Sequence, residues 1–148
     1  MADFSEVPWI KAHIALYRTD PEKARLWDST PLGGPGILPT LLLTTKGRKS
    51  GKLRSLPLIY GEAGASHVII ASKGGMPSHP VWYLNLVANP ECEIMVGAKR
   101  IRVRARIAED PERARLWAQM AKLYPPYDEY QTRAAGRTIP VVVLDPVD

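Results

Sequence analysis

A chain of 148 residues, 45% apolar and 24% charged, has the make-up of one globular domain around a single core. One cysteine, Cys92, excludes an internal disulfide, and no window holds the roughly 18 apolar residues that a membrane-spanning helix needs. The net charge of +5 is local: Ser29 to Pro90 carries six cations against one acid, and the rest of the chain fourteen of each, which points to a compact anionic ligand rather than to nucleic acid. The N-terminus lacks the basic start and apolar run of a signal peptide, so a cytoplasmic setting is expected.

Residues 1–31 read as a helical segment. Phe4, Val7, Ile10, Ile14 and Tyr17 recur near helical spacing, with Trp9 and Leu16 beside them. This stripe fits packing on the body of the protein or peripheral contact with a membrane surface, and both stay open. Asp20-Pro21-Glu22 has the N-cap acid and early proline of a helix start, running to about Trp27. Asp110-Pro111-Glu112 repeats the device in a nearly identical octapeptide.

After a proline- and glycine-rich loop, Thr40 to Thr45 and Lys52 to Tyr60 form a hairpin whose tip, Lys46-Gly47-Arg48-Lys49-Ser50-Gly51-Lys52, is basic. Glycines let backbone amides approach an anion and the cations supply charge, but a solvated turn has the same composition. Residues 61–66 read as a turn. The apolar run Val68-Ile69-Ile70-Ala71 marks a central third strand. It ends in Lys73-Gly74-Gly75, and a short helix from Val81 to Ala88 follows. A strand end, a glycine pair and a helix start make an anion or cofactor site plausible, with Trp82 and Asn85 unusual for so short a helix.

Glu91 to Val96 is a fourth strand, where Cys92 reads as a small packed side chain. The fifth, Arg100 to Ala108, alternates arginine with apolar residues, which fits a solvated arginine face. A helix from Pro111 to about Leu123 leads to Tyr124, Tyr127 and Tyr130, spaced three apart as one face of a helical turn. They fit a core-closing patch or a lid over a pocket. Arg137 to Leu144 is the last strand. Six antiparallel strands closing into a small barrel with covering helices, an α+β but mainly β fold, is the expected architecture.

Leu-Leu-Leu-Thr-Thr-Lys-Gly-Arg-Lys-Ser-Gly (41–51), Ala-Ser-Lys-Gly-Gly (71–75), Trp-Tyr-Leu-Asn-Leu (82–86), Asn-Pro (89–90), Tyr-Pro-Pro-Tyr (124–127) and Arg-Thr-Ile-Pro-Val-Val (137–142) occur in one order. Together they resemble the deazaflavin (F420)-dependent nitroreductase family, the F420H2-dependent quinone and nitro reductases of actinobacteria. The resemblance implies a split β-barrel, related to flavin mononucleotide-binding proteins, over residues 32–148. It implies coenzyme F420 and hydride transfer to an activated hydrophobic acceptor: a quinone, a nitroaromatic or an enone-like compound. Arg48, Lys49, Ser50 and Arg54 would hold the phosphate and polyglutamate tail, Lys73, Gly74 and Gly75 would admit the ring, and Trp82 and Asn85 would line the groove. Ser72 and Tyr127 are the candidates for the hydrogen bond or proton to the anion that forms, and Ile59, Tyr124 and Tyr130 would face the acceptor.

Ile59 stands where better-studied nitroreductases carry a substrate-contacting tyrosine, and Tyr60 faces the opposite side of the strand. Nitroimidazole reduction is therefore not implied. A non-catalytic F420 or lipid carrier, or a flavin mononucleotide or haem protein on the same barrel, are the other readings. No metal site and no nucleic-acid partner are expected. The chain is expected to be a monomer or homodimer, with or without membrane association.

Overall fold

The structure is a computed structural model, and it describes residues 7–147. Phe4, counted in the N-terminal stripe, lies outside the described residues. Eight strands are present among them rather than six: β1 (Leu26–Asp28), β2 (Ile37–Lys46), β3 (Leu53–Ile59), β4 (Gly61–Ala63), β5 (Ser66–Ile70), β6 (Glu91–Val96), β7 (Lys99–Ile107) and β8 (Val141–Pro146). The helices are α1 (Pro8–Thr19), α2 (Pro21–Ala24), α3 (Val81–Ala88), α4 (Glu112–Leu123) and α5 (Pro126–Arg133).

The two unexpected strands are each three residues long. Gly61-Glu62-Ala63 pairs with β5 across the two-residue turn Gly64-Ala65, so a segment rich in glycine is half strand. Leu26-Trp27-Asp28 pairs with Ile37 to Pro39 where the sequence predicts the end of a helix. The octapeptide at Asp20 therefore yields only one helical turn, whereas its twin at Asp110 opens the twelve-residue α4. β8 starts at Val141, not Arg137, because Pro140 lacks a donor and the preceding residues serve another purpose, described below.

All pairings are antiparallel, in the order β1–β2–β6–β7–β8–β5–β4, with β3 also on β2. β3 and β4 thus lie at opposite ends of the sheet, yet a single residue, Tyr60, separates them in sequence. There the two ends of the sheet are linked through the chain itself, and among the described residues no ladder joins β3 to β4 or β5. This seam is the split of the barrel.

Strand alternation sorts the core. Ile69, Val142 and Leu144 point into one cluster with Leu41, Leu43, Ile94 and Val103, while Val68, Ile70, Val141 and Val143 point into another with Leu116, Met120, Tyr124 and Tyr127. Both faces of β5 and β8 are buried, hence their unbroken apolar runs. On β7 the arginines are exposed as expected, and acids meet them: Arg104 pairs with Glu91 at 3.3 Å, and Arg106 with Glu112 at 2.6 Å and Asp145 at 2.7 Å.

The N-terminal helices pack on the barrel. Ile14 and Tyr17 bury against Leu42, worth about 1.5–3 kcal/mol for each large side chain. The Tyr17 hydroxyl donates to the Thr40 carbonyl at 2.6 Å, and His13 Nε2 donates to the Ala24 carbonyl at 2.7 Å. Glu22 accepts the Ala98 N–H at 2.7 Å in the β6–β7 turn. No helix of the described residues is long and apolar enough to cross a membrane.

Candidate functional site

A cavity of about 360 Å³ opens at the split. One wall is β3, through Leu56, Pro57, Leu58 and Ile59; another is Ile70, Ser72, Lys73 and Gly74 at the end of β5; a third is Tyr124, Tyr127 and Tyr130. A small groove of about 20 Å³, lined by Thr45, Arg54, Ser55 and Asn85, meets the same Leu56, Lys73, Pro80 and Trp82 that line the cavity. The groove thus lies between the foot of the basic hairpin and the apolar chamber, with shared walls.

Asn85 organises the hairpin foot. It is 2% exposed, and its Oδ1 accepts both the backbone N–H and the Nη1 of Arg48 at 3.2 Å, while its Nδ2 donates to Thr45 Oγ1 at 3.3 Å. Arg48 is thus partly committed to shaping the turn. Gly51, with φ +72°, donates to the Gly47 carbonyl, and Ser50 Oγ accepts the Lys52 N–H at 3.2 Å. Lys49 and Ser50 sit at the exposed tip and do not line the groove, whereas Arg54, opposite Thr45 on β3, does.

Lys73, Gly74 and Gly75 all have positive φ, at +49°, +63° and +80°. The two glycines differ in purpose. A Cβ on Gly74 would meet nothing within 4 Å, leaving open space over the backbone beside the cavity. A Cβ on Gly75 would lie 2.6 Å from the Tyr130 carbonyl oxygen, so that glycine serves packing against α5. Lys73 Nζ donates to Ser78 Oγ at 3.1 Å, and burial together with the Arg137 charge lowers its pKa.

The tyrosines follow from the turn after α4. Tyr124 and Tyr127 are buried with their rings 4.9 Å apart, and the Tyr124 and Tyr130 hydroxyls are hydrogen-bonded at 2.9 Å. Burial pushes the pKa of both Tyr124 and Tyr127 well up, and the Tyr130 contact adds to the shift at Tyr124. Among the described residues nothing hydrogen-bonds the Tyr127 hydroxyl. Both therefore keep their protons at neutral pH, as hydrogen-bond donors rather than anions. Ile59 lines the cavity; Tyr60 is buried on the other face, its hydroxyl accepting from Arg25 Nη1 at 3.2 Å.

Two contributions were not foreseen from the sequence. Val7, Trp9, Ile10, His13 and Trp27 line the cavity, with Trp9 and Trp27 stacked at 5.8 Å. Nothing local links these tryptophans, because the docking of α1 brings them together. Arg137 grips the 71–76 loop, and its only signal was membership of the Arg-Thr-Ile-Pro motif.

A mainly β split barrel with covering helices, carrying a cation-flanked groove beside an apolar chamber, is the class of fold and site this chain presents. The family model for F420H2-dependent quinone reductase matches residues 33–146, and the chain belongs to that family. It is 40% identical, over 92% of its length and 95% of the relative's, to an F420H2-dependent quinone reductase of Mycobacterium tuberculosis strain H37Rv. A solved F420H2-dependent reductase, FDR-A, is 43% identical with a TM-score of 0.66, covering 72% of this chain and 93% of that one. A second solved chain, a domain-swapped dimer, is 36% identical with a TM-score of 0.70, covering 91% and 94%. The cofactor of the family is F420.

Proposed function

We propose that the protein reduces a quinone or another activated, hydrophobic acceptor with reduced F420, holding the acceptor against the tyrosine wall. One observation carries this reading: the groove at Arg54 and Asn85 adjoins the apolar cavity, the two sharing Leu56, Lys73, Pro80 and Trp82 as walls. Its cationic end suits a phosphate and acidic tail. The open backbone at Gly74 suits a flat ring lying close to the loop, so the residues present fit the cofactor.

Arg54 and the hairpin amides would hold the charged end, with Lys49 and Ser50 meeting the outer part of the tail. Lys73, Gly74 and Trp82 would frame the ring. When bound, reduced F420 supplies the hydride. The chain's own task is to orient the acceptor, exclude water and stabilise negative charge on the acceptor oxygen. Tyr127 and Ser72, which line the cavity, would donate hydrogen bonds there, while Ile59, Tyr124 and Tyr130 would shape the acceptor space. The N-terminal segment, to residue 31, covers the barrel of residues 32–148 and adds the Trp9–Trp27 wall.

The test is a fluorescence titration of the purified protein with F420, then oxidation of F420H2 across a panel of quinones, nitroaromatics and enones. Micromolar binding and quinone-dependent turnover are expected. No binding would remove the reading, and binding without turnover on any acceptor would favour a carrier. A homodimer is the assembly to test by light scattering, since a relative forms a domain-swapped one.

A further inference from the structure

We infer that Arg137 is a positioning residue of the cofactor site, holding the 71–76 loop in the shape that admits the ring. It does not line the cavity and acts on the loop from another side. All five of its N–H donors are used. Nε donates to the Met76 carbonyl at 3.1 Å, Nη1 to the Ala71 carbonyl at 3.0 Å and His79 Nδ1 at 3.2 Å, and Nη2 to the Ser72 and Met76 carbonyls, each at 2.8 Å.

These bonds meet a local need. Three successive residues, Lys73 to Gly75, have positive φ, and for Lys73 that conformation is intrinsically unfavourable. Within the loop, the Gly75 N–H to Ser72 carbonyl and Met76 N–H to Lys73 carbonyl bonds hold this turn, at 2.9 and 3.2 Å. Arg137 collects the Ala71 and Met76 carbonyls, which take no part in those two bonds, and adds a second donor to the Ser72 carbonyl. The neighbouring Lys73 charge opposes the arrangement, so one ammonium in place of a planar fork is a poor substitute.

Arg137 is itself fixed from α5. Its carbonyl accepts from Gln131 Nε2 at 2.8 Å, and Gln131 Oε1 accepts the Ile139 N–H at 2.9 Å. The guanidinium thus ties the tyrosine helix to the ring loop, so that acceptor wall and cofactor wall keep one spacing.

The inference rests on the reading that this loop carries F420, and two measurements separate them. In the protein without cofactor, amide exchange of residues 72–76 is compared between wild type, Arg137→Lys and Arg137→Ala. Faster exchange confined to this loop is expected in both variants; unchanged exchange would overturn the inference. F420 titration should give a dissociation constant raised about tenfold or more in both variants, since small misplacements at a site are costly. Guanidinium ion in the buffer should recover binding by Arg137→Ala and leave Arg137→Lys unimproved. Wild-type affinity in the variants would overturn the positioning role alone, whereas failure of the wild type itself to bind would remove the function reading and this inference with it. Should Arg137→Ala not fold, Arg137→Lys carries both measurements.

Discussion

Gly75 lies against the backbone of Tyr130, so that a Cβ at Gly75 would come within 2.6 Å of the Tyr130 carbonyl oxygen and 2.8 Å of its Cα. The second glycine of the 71–76 loop is therefore a joint between loop and tyrosine helix. Gly74, one residue earlier, faces open space. Alanine at Gly75 meets both a left-handed backbone and an immovable carbonyl, and should cost about 3 kcal/mol or more. Alanine at Gly74 meets only the backbone term, about 1–2 kcal/mol, and sets a methyl group where the ring would lie. Urea unfolding should rank Gly75→Ala as the less stable variant, while F420 titration should show weakened binding by Gly74→Ala even where it is fully folded. Equal stabilities would refute the packing role of Gly75.

The hairpin divides its cations in a testable way. Arg54 lines the groove, Lys49 stands at the exposed tip, and Arg48 is bonded to Asn85. Arg54→Ala should weaken both F420 and its tail-less precursor, by about tenfold for a charge-assisted bond. Lys49→Ala should weaken F420 alone, and only a few-fold, as an exposed pair would. The double variant should therefore lose more affinity for F420 than for the precursor. Equal loss for both ligands in the double variant would mean that the hairpin does not touch the tail.

Parts of this site are written locally in the chain. Two glycines and five cations within eleven residues announce the hairpin, and period-two facing is enough to separate Ile59 from Tyr60. The arginine face of β7 was legible for the same reason. Long-range contacts were not. Arg137 reaches back more than sixty residues to Ala71 and Ser72, and Trp9 meets Trp27 only because Tyr17 and His13 dock α1 on the barrel. The glycine pair carried a single signal for two different settings, open space beside the cavity at Gly74 and helix packing at Gly75. β1 and β4, three residues each, are too short for periodicity and owe their conformation to their partner strands.

Burial of the tyrosines sets an alkaline limit. The pKa values of Tyr124 and Tyr127 are raised in the folded chain, so their stabilising contribution is complete below the ordinary tyrosine pKa of about 10 and is lost as pH rises beyond it. Ultraviolet titration of tyrosinate should show a component that appears only together with unfolding. Tyr127→Phe should reduce that component and flatten the alkaline fall in stability. Free titration of every tyrosine near pH 10 in the native state would contradict the buried wall.

His67 sets the opposite limit. Its Nδ1 is buried without a partner, its ring lies 5.3 Å from Tyr60, and burial depresses its pKa. A depressed histidine leaves stability intact above about pH 6.5 and erodes it as pH falls through the folded value, because the unfolded chain takes the proton first. His79 is shifted the same way by burial and by Arg137. His67→Phe should therefore lessen, without abolishing, the loss of stability between pH 7 and pH 5 in denaturant unfolding. An unchanged slope would place His67 outside the acid response.

Under the proposed function, Ile59 is where acceptor choice should be open to change without touching the cofactor. It lines the cavity from β3, while Tyr60 is held on the far face by Arg25 and cannot turn inward without breaking that bond and leaving its core. Ile59→Tyr places a phenol in the acceptor space and takes up part of its volume of about 360 Å³. The F420 dissociation constant should stay within about twofold, since Ile59 does not line the Arg54 groove and distant changes do not couple. The kcat/KM ranking across quinones and nitroaromatics should shift by about tenfold, the scale of one altered pocket contact. A changed affinity for F420 with an unchanged acceptor ranking would mean that the acceptor does not lie against β3.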